Sequence, residues 1–75
     1  MNITKTIDAT GLSCPMPIVK TKKAMDTINS GEILEVLATD QGTLSDIPAW
    51  AKSGGHTILE QKTEKDVLYF YIQKA

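Results

Sequence analysis

A chain of 75 residues is the length of one domain, and a domain this small buries only about 60% of the surface its unfolded chain exposes, so its core is thin. A net charge of −1 with no arginine argues against a nucleic-acid-binding surface, which would be strongly basic. No apolar run approaches the ~20 residues that span a bilayer, and MNITKTIDAT lacks the charged start and apolar stretch of a signal peptide, so a cytoplasmic location is expected.

Residues 3 to 9 alternate roughly in two-residue steps, with Ile3, Ile7 and Ala9 on one side and Thr4, Thr6 and Asp8 on the other. That pattern predicts a half-buried strand, which Lys5 interrupts. Gly11 breaks the chain. From Pro15 to about Asn29, Ile18, Met25 and Ile28 recur at helical spacing with Thr21 and Ala24 beside them. Ser30-Gly31 ends this helix, glycine being favoured just past a helix end. Residues 33 to 38, ILEVLA, are nearly continuous in apolar character, which fits a central strand covered by a helix.

Asp40-Gln41-Gly42 reads as a turn. A second helix is expected over about Thr43 to Ser53, with Thr43 and Asp46 at the spacing of a capping pair and Pro48 making its start irregular or bent. Gly54-Gly55 stops it. His56 to Lys62 and Val67 to Gln73 read as two strands joined by a turn around Glu64-Lys65-Asp66.

The element order is β-α-β-α-β-β. Parallel pairing of the first two strands through a right-handed crossover, with the last strand antiparallel between the second and third, gives the strand order 1-2-4-3. The fold class is therefore α+β: a two-layer α/β sandwich with a mixed four-stranded sheet and two helices on one face. Residues 1–75 form one domain in this reading.

Cys14 is the only cysteine, so no internal disulfide can form, and with one histidine there is no Cys/His metal cluster at any spacing. Proline is favoured at the first helical position, so Pro15 is expected to place Cys14 at the helix N-cap. Pro17 has no N–H, which leaves the Met16 amide to bond the sulfur. The positive helix end would then lower the thiol's pKa, with Lys20, Lys22 and Lys23 adding positive potential. A lone free cysteine is more often a small buried hydrophobe. Here a glycine turn on one side and a proline-started helix on the other favour exposure. With no second cysteine to resolve a mixed disulfide, any sulfur loaded on Cys14 must leave to another molecule.

These residues resemble the TusA/SirA family of small sulfur-carrier proteins. The resemblance runs through Asp8-Ala9, Gly11-Leu12, Cys14-Pro15-x-Pro17, Gly31-Glu32, Asp40, Asp46-Ile47-Pro48-Ala49-Trp50 and Gly55-His56. It implies the fold already reached. It also implies that Cys14 receives a persulfide sulfur from a cysteine desulfurase or a rhodanese-type donor. The sulfur then passes to an acceptor protein on a route to thiolated tRNA, molybdenum cofactor or sulfur oxidation. Gly11, Leu12, Pro15, Met16 and Pro17 shape the loop. Lys20, Lys22 and Lys23 are candidates for docking a partner, Lys22 and Lys23 lying where the family usually has a basic residue facing the donor. Met16 departs from the acidic or polar residue of some members.

Asp40 and Asp46 are candidate supporting residues, since both helix starts should lie at one end of the sheet, although capping explains them as well. His56 suits a hydrogen-bonded structural role at the opposite end better than a proton shuttle. Leu12, Met16 and Ile18 would give a partner something apolar to bury. Tyr69 and Tyr71 fall on the sheet's open face. Trp50 and Met25 are expected in the core. No metal or organic cofactor is required by a carrier. The rival readings are a thiol-based redox sensor or regulatory interaction module, and, by fold analogy alone, a nucleic-acid-binding module.

Overall fold

In the computed structural model, which describes residues 1–75, the elements follow the expected order: β1 (Lys5–Ala9), α1 (Met16–Met25), β2 (Ile33–Ala38), α2 (Thr43–Gly54), β3 (Thr57–Glu64) and β4 (Val67–Gln73). The sheet order is β1-β2-β4-β3, with β1 and β2 parallel and β4 antiparallel to both its neighbours. This is the mixed sheet of the expected α+β sandwich.

The two-residue period of a strand sets the layers. Leu34, Val36 and Ala38 of β2 face one way and are buried, and across the ladder Ile72, Phe70 and Leu68 of β4 do the same. Ala24 and Met25 of α1 and Ile47 and Ala51 of α2 close over this face to form the core. Ile7, Ile18, Trp50 and Ile58 pack at its margin, half-buried.

On the other face the polar groups answer one another. The Thr6 hydroxyl donates to Glu35 at 2.8 Å. Lys62 Nζ lies over both tyrosine rings, 5.4 Å from the centre of Tyr69 and 5.8 Å from that of Tyr71. Tyr71 is only 7% exposed. A lysine stem and its charge thus cover the rings.

Several boundaries differ from the sequence reading. β1 begins at Lys5, and β3 runs from Thr57 on to Glu64. A register shift between Ile58 and Glu60 turns Leu59 outward, 41% exposed. α1 ends at Met25, short of Asn29. There the Thr27 hydroxyl donates to the Ala24 carbonyl at 2.6 Å, and the Thr27 and Ile28 amides bond carbonyls three residues back. Such local side-chain bonding competes with the helical ladder and tightens the chain out of it. Pro48 does not disturb α2, which runs unbroken from Thr43 to Gly54.

The expected Thr43–Asp46 capping pair does not form. Gly42 is the N-cap, with no side-chain bond there. The Thr43 hydroxyl instead donates back to the Asp40 carbonyl at 2.7 Å. The Asp46 carboxylate is left to face another partner.

Candidate functional site

Parallel pairing of β1 and β2 sends both strands to the same end of the sheet, where the loops to α1 and α2 begin. The first loop is fixed by short bonds. Asp8 accepts the Thr10 amide at 2.9 Å and the Thr10 hydroxyl at 2.6 Å. Gly11 turns with φ +78°, a conformation other residues rarely adopt, and its N–H donates to Thr39 Oγ1 at 2.8 Å.

The second loop then takes hold of the first. Asp40 Oδ2 accepts the Cys14 N–H at 2.8 Å, while its Oδ1 accepts the Gly42 N–H at 3.1 Å. One carboxylate joins the two loops and sets where Cys14 sits. The Cys14–Pro15 peptide is cis. Cys14 is exposed.

The structure corrects the expected setting of the sulfur. Pro15, not Cys14, is the N-cap of α1, and no side chain caps that helix. The Met16 amide, expected on the sulfur, donates to the Ser13 carbonyl at 3.0 Å. The thiol points toward the start of α2, where its S–H donates to Asp46 Oδ2 at 3.5 Å. Its pKa is therefore pushed up, not down. The hydrogen bond to Asp46 is the largest cause, followed by desolvation and the negative charges of Asp46 and Asp40.

The lysines do not offset these charges. Lys20 Nζ is bonded to the Asp8 carbonyl at 2.8 Å. Lys22 and Lys23 stand in the last turn of α1, about 9–10.5 Å along the axis from Met16 at 1.5 Å per residue. That is the end of the sheet away from the thiol, where Lys5 Nζ meets Thr27 Oγ1 at 2.9 Å. His56 lies at that distant end too, its Nδ1 accepting the Ala75 N–H at 3.0 Å and its ring 5.0 Å from that of Trp50.

Apolar side chains rim the thiol unequally. Met16, at the start of α1, is 47% exposed, and Leu12 is half-buried. Ile18 was expected beside them but packs against the core. Pro15 is exposed and Pro17 is buried under the first turn. Leu44, 40% exposed in the first turn of α2, was not singled out from the sequence. Its neighbours in the chain are polar, and only the fold brings the start of α2 beside Cys14. The Cys14–Asp46 contact spans 32 positions, and no local spacing announces it.

Comparison with known proteins gives the family of this fold. The family model described as "Sulfurtransferase TusA" matches residues 5–74. YrkI of Bacillus subtilis, provisionally named a sulfur carrier protein, is 61% identical over the full length of both chains. The sulfur carrier protein TusA of Allochromatium vinosum is 42% identical over 69 residues, 92% of this chain and 91% of its own. Among solved structures, a SirA-like protein from Desulfitobacterium hafniense superposes with a TM-score of 0.81 at 27% identity, covering 92% of this chain and 95% of that one.

Proposed function

The chain belongs to the TusA family of sulfur carriers, and from that premise we propose that Cys14 is the atom on which the sulfur travels, as a persulfide. The observation that carries this reading is the placement of the chain's one thiol. It is exposed, at the junction of two loops that Asp40 ties together, with no second cysteine to resolve it.

The transfer is an exchange between two sulfurs. A donor protein arrives with a persulfide. A bond forms between its outer sulfur and Cys14 Sγ as the donor's own S–S bond breaks. The donor's inner sulfur leaves with the electron pair and takes up the proton that Cys14 gives up. One persulfide and one thiol become one thiol and one persulfide, with no net oxidation. The same exchange, run toward an acceptor thiol, unloads the carrier.

The donor is a cysteine desulfurase or a rhodanese-type protein, and the acceptor is a protein on a tRNA-thiolation, molybdenum-cofactor or related sulfur route in the cytoplasm. Met16 and Leu44, exposed in the first turns of α1 and α2, the two helices whose starts meet at the Cys14–Asp46 contact, give such partners apolar area to bury. Lys22 and Lys23 offer a second, basic contact further along α1. RNA itself is not the partner at this end, because Asp40 and Asp46 repel phosphate.

A peroxide sensor is the weaker alternative. Sensor cysteines are low-pKa thiols, and this one is shifted the other way. The deciding measurement is intact-mass spectrometry after incubation with a cysteine desulfurase and cysteine. The protein is expected to gain the mass of one sulfur atom, and Cys14→Ser is expected to gain none. Uptake by the serine variant, or modification by peroxide with no uptake from any persulfide donor, rejects the carrier assignment to Cys14.

A further inference from the structure

We propose that Asp46 times the reactivity of Cys14: its carboxylate keeps the thiol protonated while the protein is free, and thiolate is released when a partner's cation takes that carboxylate. This rests on Cys14 being the sulfur-bearing residue.

The two acidic neighbours are engaged differently. Asp40 spends one oxygen on the Cys14 amide and the other on the Gly42 amide. Its job is to hold the backbone. The half-buried Asp46 has one side-chain hydrogen bond in the protein, the one from Cys14 Sγ at 3.5 Å. A carboxylate so placed stabilises S–H, which can donate to it, and opposes S⁻, which cannot.

Every charge that faces the sulfur has the same sign. Asp46 comes from α2 and Asp40 from the loop before it. The first turn of α1 contributes no acidic residue, and its side chains are Met16, Pro17, Ile18 and Val19. Asp8 is occupied by Thr10, and Lys20, the lysine nearest in sequence along α1, is held on the Asp8 carbonyl. The free protein therefore has two negative charges at its reactive atom and no cation to offset them.

Such an atom is a poor target for stray oxidants and electrophiles, which attack thiolates. A protein partner that brings a lysine or arginine to Asp46 removes the hydrogen-bond acceptor and the repulsion together. The thiolate forms where the donor's persulfide is already in reach. The exchange gains no new chemistry; it is confined to the complex.

The pH dependence of iodoacetamide alkylation tests this directly, because the protein has one cysteine. Wild type, Asp46→Asn, Asp46→Glu and Asp46→Lys are compared, with Cys14→Ser as the blank and circular dichroism to verify folding. Asp46→Asn is expected to move the midpoint down by about one pH unit, which is roughly a tenfold faster reaction at neutral pH. Asp46→Lys, which supplies the cation within the chain, moves it further. Asp46→Glu stays near wild type.

An unchanged midpoint in both the Asn and Lys variants, or an upward one, overturns the proposal. If the variants do not fold, wild type alone decides. Roughly molar potassium chloride shortens the screening length to about 3 Å and should lower its midpoint more than it lowers that of a short cysteine peptide. An equal effect on both overturns the proposal. Sulfur loading is read separately by mass. Loading with no shift of midpoint rejects the gate alone, and a shift with no loading rejects the carrier assignment on which the gate rests.

Discussion

Asp40 and Asp46 stand six positions apart in sequence and act through different atoms. Asp40 holds amides; Asp46 holds a sulfur. The same sensitivity to a neighbouring carboxylate operates on the sheet's open face. There the Tyr71 phenol is pushed up to about 12, first by its hydrogen bond to Glu35, then by burial and by the charges of Glu35 and Glu60. A raised pKa means the folded state holds the proton more tightly than the unfolded chain. The stabilisation is complete below the ordinary tyrosine value of about 10 and is lost as pH rises through about 12. Ultraviolet titration should therefore show one tyrosine ionising late, and Glu35→Gln should bring that step down toward the ordinary range. A late step that survives Glu35→Gln would mean burial alone holds the proton. The sequence placed both tyrosines on this face. It could not place Glu35 or Lys62 against them, because those contacts cross from β2 and β3 to β4.

The β3–β4 hairpin is an element whose sequence and backbone disagree. Its loop is two residues, Lys65 and Asp66, with φ of 49° and 66°. Two-residue loops with both residues left-handed are the I′ turns that favour Asn-Gly. Lysine has no local side-chain bond to offset that conformation. The double change Lys65→Asn, Asp66→Gly is expected to stabilise the fold by about 1 kcal/mol. In urea the midpoint should rise at constant slope, and an unmoved midpoint would show the turn to be unstrained. The strands and helices themselves were legible because their apolar residues recur at two or 3.6 positions, as Leu34-Val36-Ala38 and the two-turn pair Ile18-Met25 illustrate. Their ends were less so. The end of α1 is set by the Thr27 hydroxyl turning onto its own helix, and the start of α2 by Thr43 bonding backward rather than capping forward.

At the scale of the whole molecule, the site depends on what the core and topology carry to one end of the sheet. Cys14 and the proline step were legible in the sequence as a motif. The direction of the thiol was not, because it depends on α2 being laid beside α1 by the β1–β2–β4 pairing. The same architecture separates residues that hold the fold from residues that meet a partner. A chain of 75 residues has roughly 4–11 kcal/mol of stability at about 0.05–0.15 kcal/mol per residue. Phe70 is fully buried at the centre of the sheet's covered face, and Phe→Ala there costs about 3–5 kcal/mol. That is about a quarter of the total at least and can be all of it, so Phe70→Ala should lower the urea midpoint by about a quarter or more, and at the low end of that stability range it unfolds the protein at ambient temperature. Met16 and Leu44 are 47% and 40% exposed, and their alanine variants should stay within about 0.5 kcal/mol of wild type. If a donor protein buries this apolar area on docking, as proposed above, their effect should fall on sulfur uptake from it. Urea melts and mass-spectrometric loading rates, measured on these three variants and on the Met16→Ala, Leu44→Ala double variant, separate the two roles. Full loading by the Met16→Ala, Leu44→Ala double variant would remove the apolar rim from the docking surface, and a large loss of stability in it would place those side chains in the fold's support instead.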